Sequence, residues 1–391
     1  MSVLLKNAFV WSERRIADLV VDDAIAVFSD NEGAPSLHEV VDLDGRIVLP
    51  GFADCHLHLD KALIAEKAPN HTGTLAEAIE IMQPYKVAMT DEDIRSRAER
   101  ALRMCFANGS RFLRTHVDIN ETIGLRSFNV VKELRERYRD KLSLQIVVFP
   151  QEGIINSGDR DALESALAEG ADCVGGIPAF DPDPGVHISA ILDMAMKYDI
   201  PADFHIDETD DPDSLTLATL AEMTMERGLQ GKVIAGHCCS LSANPPEKVD
   251  RVLEKVAGAG ISIISLPSTN LYLQGREDVV NKRRGIAPLI RIMSHNITTA
   301  IASDNMQDPF NPFGNGSLLL QALIAGHGCH MGGMADFDAL LDMITINPMK
   351  IMKQDASLNK WREVVVLKAR TAREAIVGQS GLFATYDCRL S

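Results

Sequence analysis

The sequence predicts an α/β protein, a (β/α)8 TIM barrel with a small β-sandwich domain formed by both chain termini. Three observations predict it. From residue 49 to about 330, eight strand-like runs alternate with helical stretches, over a span close to the roughly 250 residues such barrels need. Outside that span, the patterns return to short strands and turns. The polar residues able to carry chemistry fall at the C-terminal ends of the predicted strands, where barrels build their active sites. The chain has 391 residues, more than a usual single domain. The expected division is 1–48 and 346–391 for the two parts of the β domain and 49–345 for the barrel.

In chain order, Val3 to Leu5, Ala8 to Val10, Ile16 to Val21, Ala24 to Phe28 and Val40 to Val48 read as short strands, with a turn at Asn31-Glu32-Gly33. The Pro50-Gly51 break then leads into a strand ending in His56-x-His58. Thr74 to Lys86 is helical. Thr90-Asp91-Glu92-Asp93 has the pattern of a capping box and opens a helix to about Asn108-Gly109. The remaining seven strands are Arg111 to Asp118, Leu142 to Phe149, Cys173 to Ile177, Ala202 to Ile206, Val233 to His237, Ile261 to Leu266 and Thr298 to Ser303. Helical patterns follow each of them, two stopped by Gly170 and Gly228. Glu363 to Leu367 and Gly381 to Leu390 are strand-like again.

Composition excludes several classes. The formal net charge of −16 argues against a nucleic-acid backbone or anionic membrane as partner. No apolar run approaches the roughly 18 residues of a membrane span, and residues 1–10 lack the pattern of a signal peptide. The seven cysteines form no C-x-x-C pair, so neither a disulfide framework nor a cysteine zinc site is expected. These features predict a reducing, cytoplasmic setting. A homo-oligomer is compatible with all of them.

Residues two apart on a strand share a face, so His56 and His58 can grip one metal ion. Other strand ends add His116 and Asp118, Gln151, His205 with Asp207 and Glu208, His237, and Asp304 with Asn305. Five of the eleven histidines fall at these ends. Histidines plus one carboxylate make a mixed nitrogen and oxygen site with room for water, which suits one divalent zinc or ferrous ion better than magnesium or calcium. His116 reads as a structural histidine, Asp60 and Lys61 as loop or supporting groups, and Cys238 and Cys239 as small buried thiols.

The chain resembles the amidohydrolase superfamily and, within it, the cytosine deaminase group. The resemblance rests on Pro50-Gly-Phe-Ala-Asp-Cys-His-Leu-His-Leu-Asp60, Arg114-Thr-His-Val-Asp118, Gln145-Ile-Val-Val-Phe-Pro-Gln-Glu-Gly153, Gly170-Ala-Asp-Cys-Val-Gly-Gly-Ile-Pro178, His205-Ile-Asp-Glu-Thr-Asp-Asp211, Leu273-Gln-Gly-Arg276, Lys282-Arg-Arg-Gly-Ile286, and the stretch from Ser303 to Gly314. It implies that His56, His58, His205 and Asp304 hold one metal ion, which lowers the pKa of water to about 7. It implies Glu208 as the proton carrier between that water and a ring nitrogen, with His237 and Asp304 orienting the water. It also implies substrate contacts from Gln151, which can read a cyclic amide edge with one donor and one acceptor, from the backbone of Leu75, from Asn305, and from Phe310 over the ring.

The sequence departs from that group at Ser303-Asp304-Asn305, where cytosine deaminases usually carry His-Asp-Asp. The same Ser-Asp-Asn, with Pro312-Phe-Gly-Asn-Gly316 and His56-x-His-Leu-Asp-Lys61, is similar to the N-alkylammelide amidohydrolases of triazine breakdown. That group lacks the glutamate present here as Glu208. The resemblance therefore implies hydrolytic deamination of a small heterocycle such as cytosine, 5-methylcytosine or isocytosine. The alternative is hydrolysis of an N-alkylamino-triazine or of a cyclic amide such as creatinine.

Overall fold

The computed structural model describes residues 3–21, 26–28, 39–155, 157–357, 361 and 363–387. The expected turn at 31–33 and the end of the last expected strand lie outside the described residues. Eight parallel strands form one sheet in chain order. They are β1 (Phe52–Leu57), β2 (Ser110–Asp118), β3 (Ser143–Phe149), β4 (Cys173–Gly176), β5 (Ala202–Ile206), β6 (Val233–His237), β7 (Ser262–Ser265) and β8 (Thr299–Ile301). Just beyond β8, Asp304 makes a parallel bridge to Leu57, and its N–H donates to the carbonyl of His56 at 2.8 Å. This bridge joins the last strand to the first and closes the (β/α)8 barrel. Every expected barrel strand is present to within two residues at each end, whereas the expected strand Val40 to Val48 is two strands, Glu39–Asp42 and Ile47–Leu49, separated by a turn.

The wall follows from strand periodicity. Leu113 and Val117 of β2, Ile146 and Val148 of β3, and Phe204 and Ile206 of β5 face outward and pack with Leu102, Phe128, Val131, Ile188 and Leu220 of the surrounding helices. Between them, Arg114, His116 and Asp118 of β2 and Asp203 and His205 of β5 are buried on the opposite face. An apolar cluster fills part of the lower interior: Cys55, Ile234, Ile264 and Ala300 pack against Ile351 and Met352 at the C-terminal end of the short helix Ile346–Ile351. β1 breaks strict alternation, because its register with β2 shifts between Asp54 and Leu57. Such a shift re-aims side chains, as bulges beside active sites do.

Helix Asp91–Ala107 starts where expected, with Thr90 Oγ1 accepting from the Asp93 N–H at 3.2 Å. The reciprocal half of the expected box is absent: the Asp93 carboxylate instead pairs with Lys67 at 2.7 Å and with Arg97 at 2.8 Å. Two long cations within reach compete with the backbone amide for that carboxylate.

Both termini contribute to one seven-stranded mixed sheet. Val3–Val10 pairs with Arg15–Val21, Glu39–Asp42 and Ile47–Leu49, and the last of these pairs with Glu363–Leu367. Alternate residues divide between two cores. Ile47, Leu49, Val365 and Leu367 pack toward the barrel helices with Leu318 and Ile376. Val48, Val364 and Val366 gather with Leu5, Leu19 and Trp361 on the other face. The small β domain is thus one continuous sheet among the described strands, with a buried layer of side chains on each face.

One buried ion pair braces the barrel. Arg114 Nη1 donates to Asp203 Oδ2 at 3.0 Å, and both residues are buried. Breaking one partner strands the other charge. Arg114→Met should therefore destabilise the protein by about 3–5 kcal/mol in denaturant unfolding.

Candidate active site

The C-terminal ends of β1, β5, β6 and β8 bring together the histidines and carboxylate singled out in the sequence. His58 Nε2 lies 3.2 Å from His205 Nε2 and 3.3 Å from Asp304 Oδ1, and His56 Nε2 lies 3.7 Å from the same oxygen. Gly236 on β6 makes room for this cluster, since a Cβ there would sit 3.2 Å from His56 Cε1. Three residues here have left-handed backbone, Asp207 (φ 53°), His237 (φ 70°) and Asp304 (φ 60°). Such strain gathers where a fold fixes functional groups. At Asp207 its origin is visible: the carboxylate accepts from the N–H groups of Thr216 and Leu217 at 2.9 and 3.0 Å and caps helix Thr216–Glu226. That turn sets the position of the next residue, Glu208.

The donor set fits a divalent metal. His56 Nε2 and both carboxylate oxygens of Asp304 are buried without a hydrogen-bond partner. Separations of 3.2–3.7 Å between donor atoms match ligands placed about 2.0–2.2 Å from one centre at roughly tetrahedral angles. Burial, reinforced by neighbouring histidines and Lys61, holds His56, His58 and His205 well below the usual histidine pKa, so they are neutral and able to ligate. Burial also raises Asp304 to about 7, with Lys61 opposing it.

Glu208 and His237 sit beside this cluster. Glu208 Oε1 is 3.3 Å from His237 Nδ1. Burial and then the Asp304 charge push Glu208 well above the ordinary carboxyl range, while Lys61 works against them. Burial, His116 and Lys61 lower His237 to about 3. The Asn270 amide nitrogen lies 3.0 Å from His237 Nδ1. Asn270 escaped the sequence reading because it sits on helix Pro267–Leu273 beyond β7, and no motif marks it. His116, read from sequence as a structural histidine, lies tilted against His56 with ring centroids 3.9 Å apart, and its Nε2 is 3.5 Å from Asp203 Oδ1.

The remaining expected residues line a cavity of about 30 Å³ with His58, His205, Glu208, His237 and Asp304: Leu75, Gln151, Asn305 and Phe310. Lys61, Ile177 and Phe180 line it too. This space holds about one or two waters, so a ring can bind only if the wall moves. Leu75 is also a wall of an outer groove of about 470 Å³, and displacing its side chain would join the two spaces. Asn305 is partly engaged, its amide nitrogen donating to Asp308 Oδ2 at 2.7 Å. Gln151 differs from expectation. Its Oε1 accepts from Lys61 Nζ at 3.1 Å and from Lys86 Nζ at 3.4 Å, so the amide oxygen is already occupied. Lys61, read from sequence as a loop or supporting group, projects into the cavity 4.8 Å from the Phe310 ring centroid.

Comparison with known proteins places this geometry in context. The profile of the amidohydrolase family matches residues 39–144 and 128–358. A pterin deaminase from Rhizobium rhizogenes is 35% identical over 303 residues, 76% of this chain and 69% of that protein. N-isopropylammelide isopropyl amidohydrolase from a Pseudomonas species is 26% identical over 97% of this chain and 94% of its own length. Among solved structures, 5-methylcytosine deaminase from Klebsiella pneumoniae with phosphonocytosine superposes with a TM-score of 0.91. It is 30% identical and covers 100% of this chain and 97% of its own.

Proposed function

Because the chain belongs to the amidohydrolase family, we propose that it hydrolyses the exocyclic C–N bond of a small amino-substituted nitrogen heterocycle and releases ammonia. The observation that carries this reading is Glu208: a largely enclosed carboxyl, 16% exposed and of raised pKa, 3.3 Å from His237 and lining the same cavity as His58, His205 and Asp304. A divalent zinc or iron ion held by His56, His58, His205 and Asp304 would supply Lewis-acid activation of water.

The chain's own residues do the rest. Glu208 takes a proton from the attacking water and delivers it to a ring nitrogen, which a carboxyl of raised pKa can do near neutral pH. Neutral His237 and the free carboxylate oxygen of Asp304 orient the water. The new C–O bond forms at the amino-bearing carbon, the second proton of the water passes from the new hydroxyl to the amino group, and the C–N bond breaks to leave a ring carbonyl and ammonia. Leu75 and Phe310 close over the ring and exclude bulk water. The deaminases among the similar proteins, of pterin and of 5-methylcytosine, support an amino-heterocycle as substrate.

Similarity to an N-isopropylammelide amidohydrolase over nearly the full chain, together with Asn305 after Asp304, favours a second reading, the removal of an alkylamine from a triazine. The two readings differ in product. Metal-loaded protein should release ammonia from at least one member of a panel of aminopyrimidines, pterin, aminotriazines and creatinine. Alkylamine without ammonia would favour the triazine reading.

The described residues include no helix long and apolar enough to cross a membrane.

A further inference from the structure

The wall of the cavity that carries Lys61 and Gln151 has an unusual hydrogen-bond inventory. A carboxamide normally offers a ligand one acceptor and one donor, and an amide oxygen has two lone pairs. Here two ammonium groups occupy the Gln151 oxygen, Lys61 at 3.1 Å and Lys86 at 3.4 Å. Lys86 is itself fixed. It is buried, it pairs with Asp118, and it lies 2.5 Å from Glu152 Oε1. Glu152 is held in turn by Asn120 and Gln83, each at 2.9 Å. The Gln151 N–H donates to Asp118 Oδ1 at 3.3 Å, which anchors the backbone beneath the amide. Rotating the amide by half a turn would set its NH2 group against two cations. Only the donor end therefore faces the cavity. The neighbouring group on that wall, the Lys61 ammonium, is also a donor only.

We propose that Lys61 and Lys86 lock Gln151 so that this wall presents donors alone, and that the preferred substrate meets it with an edge of two adjacent acceptors. The proposal rests on the deaminase reading and narrows its substrate class. Lys86 touches no substrate and acts as a positioning residue. A 2-amino-4-oxo ring fused to a second nitrogen heterocycle, as in pterin, offers a carbonyl oxygen beside a ring nitrogen lone pair. Isocytosine offers the carbonyl beside a C–H. The cytosine carbonyl lies between N3, the ring nitrogen that Glu208 would protonate, and an N–H, so the edge left for this wall is a carbonyl beside an N–H that would face a donor. Burying a polar group against the wrong partner is where hydrogen-bonding sites gain most of their discrimination.

The experiment compares these three rings with metal-loaded protein, reading both ammonia release and binding by calorimetry. The expected order in kcat/KM and in affinity is pterin, isocytosine, cytosine, with each step at least about tenfold. Cytosine equal to or better than isocytosine would overturn the proposal. Absence of ammonia from all three would sink the deaminase reading, while the calorimetric order would still decide whether the wall is donor-only. Two variants separate edge chemistry from ring size. Lys61→Met frees one lone pair of Gln151, so the ratio of cytosine to pterin affinity should rise at least about tenfold. A merely structural loss would lower both together and leave the ratio unchanged, which would refute the lock. Gln151→Glu keeps a partner for both lysines but removes the N–H donors, and pterin affinity should fall at least about tenfold. Unchanged pterin affinity would mean that the amide does not donate to the ring.

Discussion

Glu208→Gln should lower kcat at least about 100-fold while metal content and folded stability stay unchanged. Glutamine matches glutamate in size and can still lie near His237, but it has no proton to carry. The Glu208 side chain is only 16% exposed, and desolvation together with Asp304 holds its carboxyl well above the usual range, so neutralising the side chain removes a charge the site already disfavours. Stability should not suffer for that reason. Steady-state kinetics beside elemental analysis of the same sample would check this. A variant that retains near-normal turnover removes Glu208 from the chemistry. One that loses metal as well as rate would show that the carboxylate serves the metal centre.

His58→Ala should abolish stoichiometric metal. His58 is the hub of the donor set, 3.2 Å from His205 and 3.3 Å from Asp304, and its removal leaves His56, His205 and Asp304 without the member that links them. Three donors can still bind weakly, so dialysis is part of the test. Metal should fall from about one ion per chain to near zero after dialysis, measured by elemental analysis of protein prepared without added metal. Activity should fall with it. The neutral imidazole makes no ion pair that the barrel needs, so the thermal transition of the metal-free variant should stay close to that of metal-free parent protein. Full metal occupancy in the variant would show that the cluster is not the metal centre.

The strands were legible because their signal is local. A run such as Leu142 to Phe149, alternating at first and continuously apolar from Ile146, reads the same in the chain as in the barrel. The strand-end residues were legible for the same reason: once eight strands are counted, barrel geometry says which ends converge. Sequence alone therefore assembled His56, His58, His205, His237, Glu208 and Asp304 into one candidate site. The structure places all six around one point.

Long-range side-chain choices were not legible. Asp93 abandoned its helix cap for Arg97, one turn along the same helix, and for Lys67, whose approach depends on where a separate loop comes to rest. Asn270 reached His237 from a helix with no recognisable pattern. Above all, Gln151 could be assigned to the cavity from sequence, but not the end it presents. That choice was made by Lys61 and Lys86, 90 and 65 residues away along the chain. Sequence determined which groups stand at the mouth of the barrel, because periodicity and strand order are properties of the chain. Tertiary structure decided how those groups are paired, because each hydrogen bond there depends on which distant side chain arrives beside it.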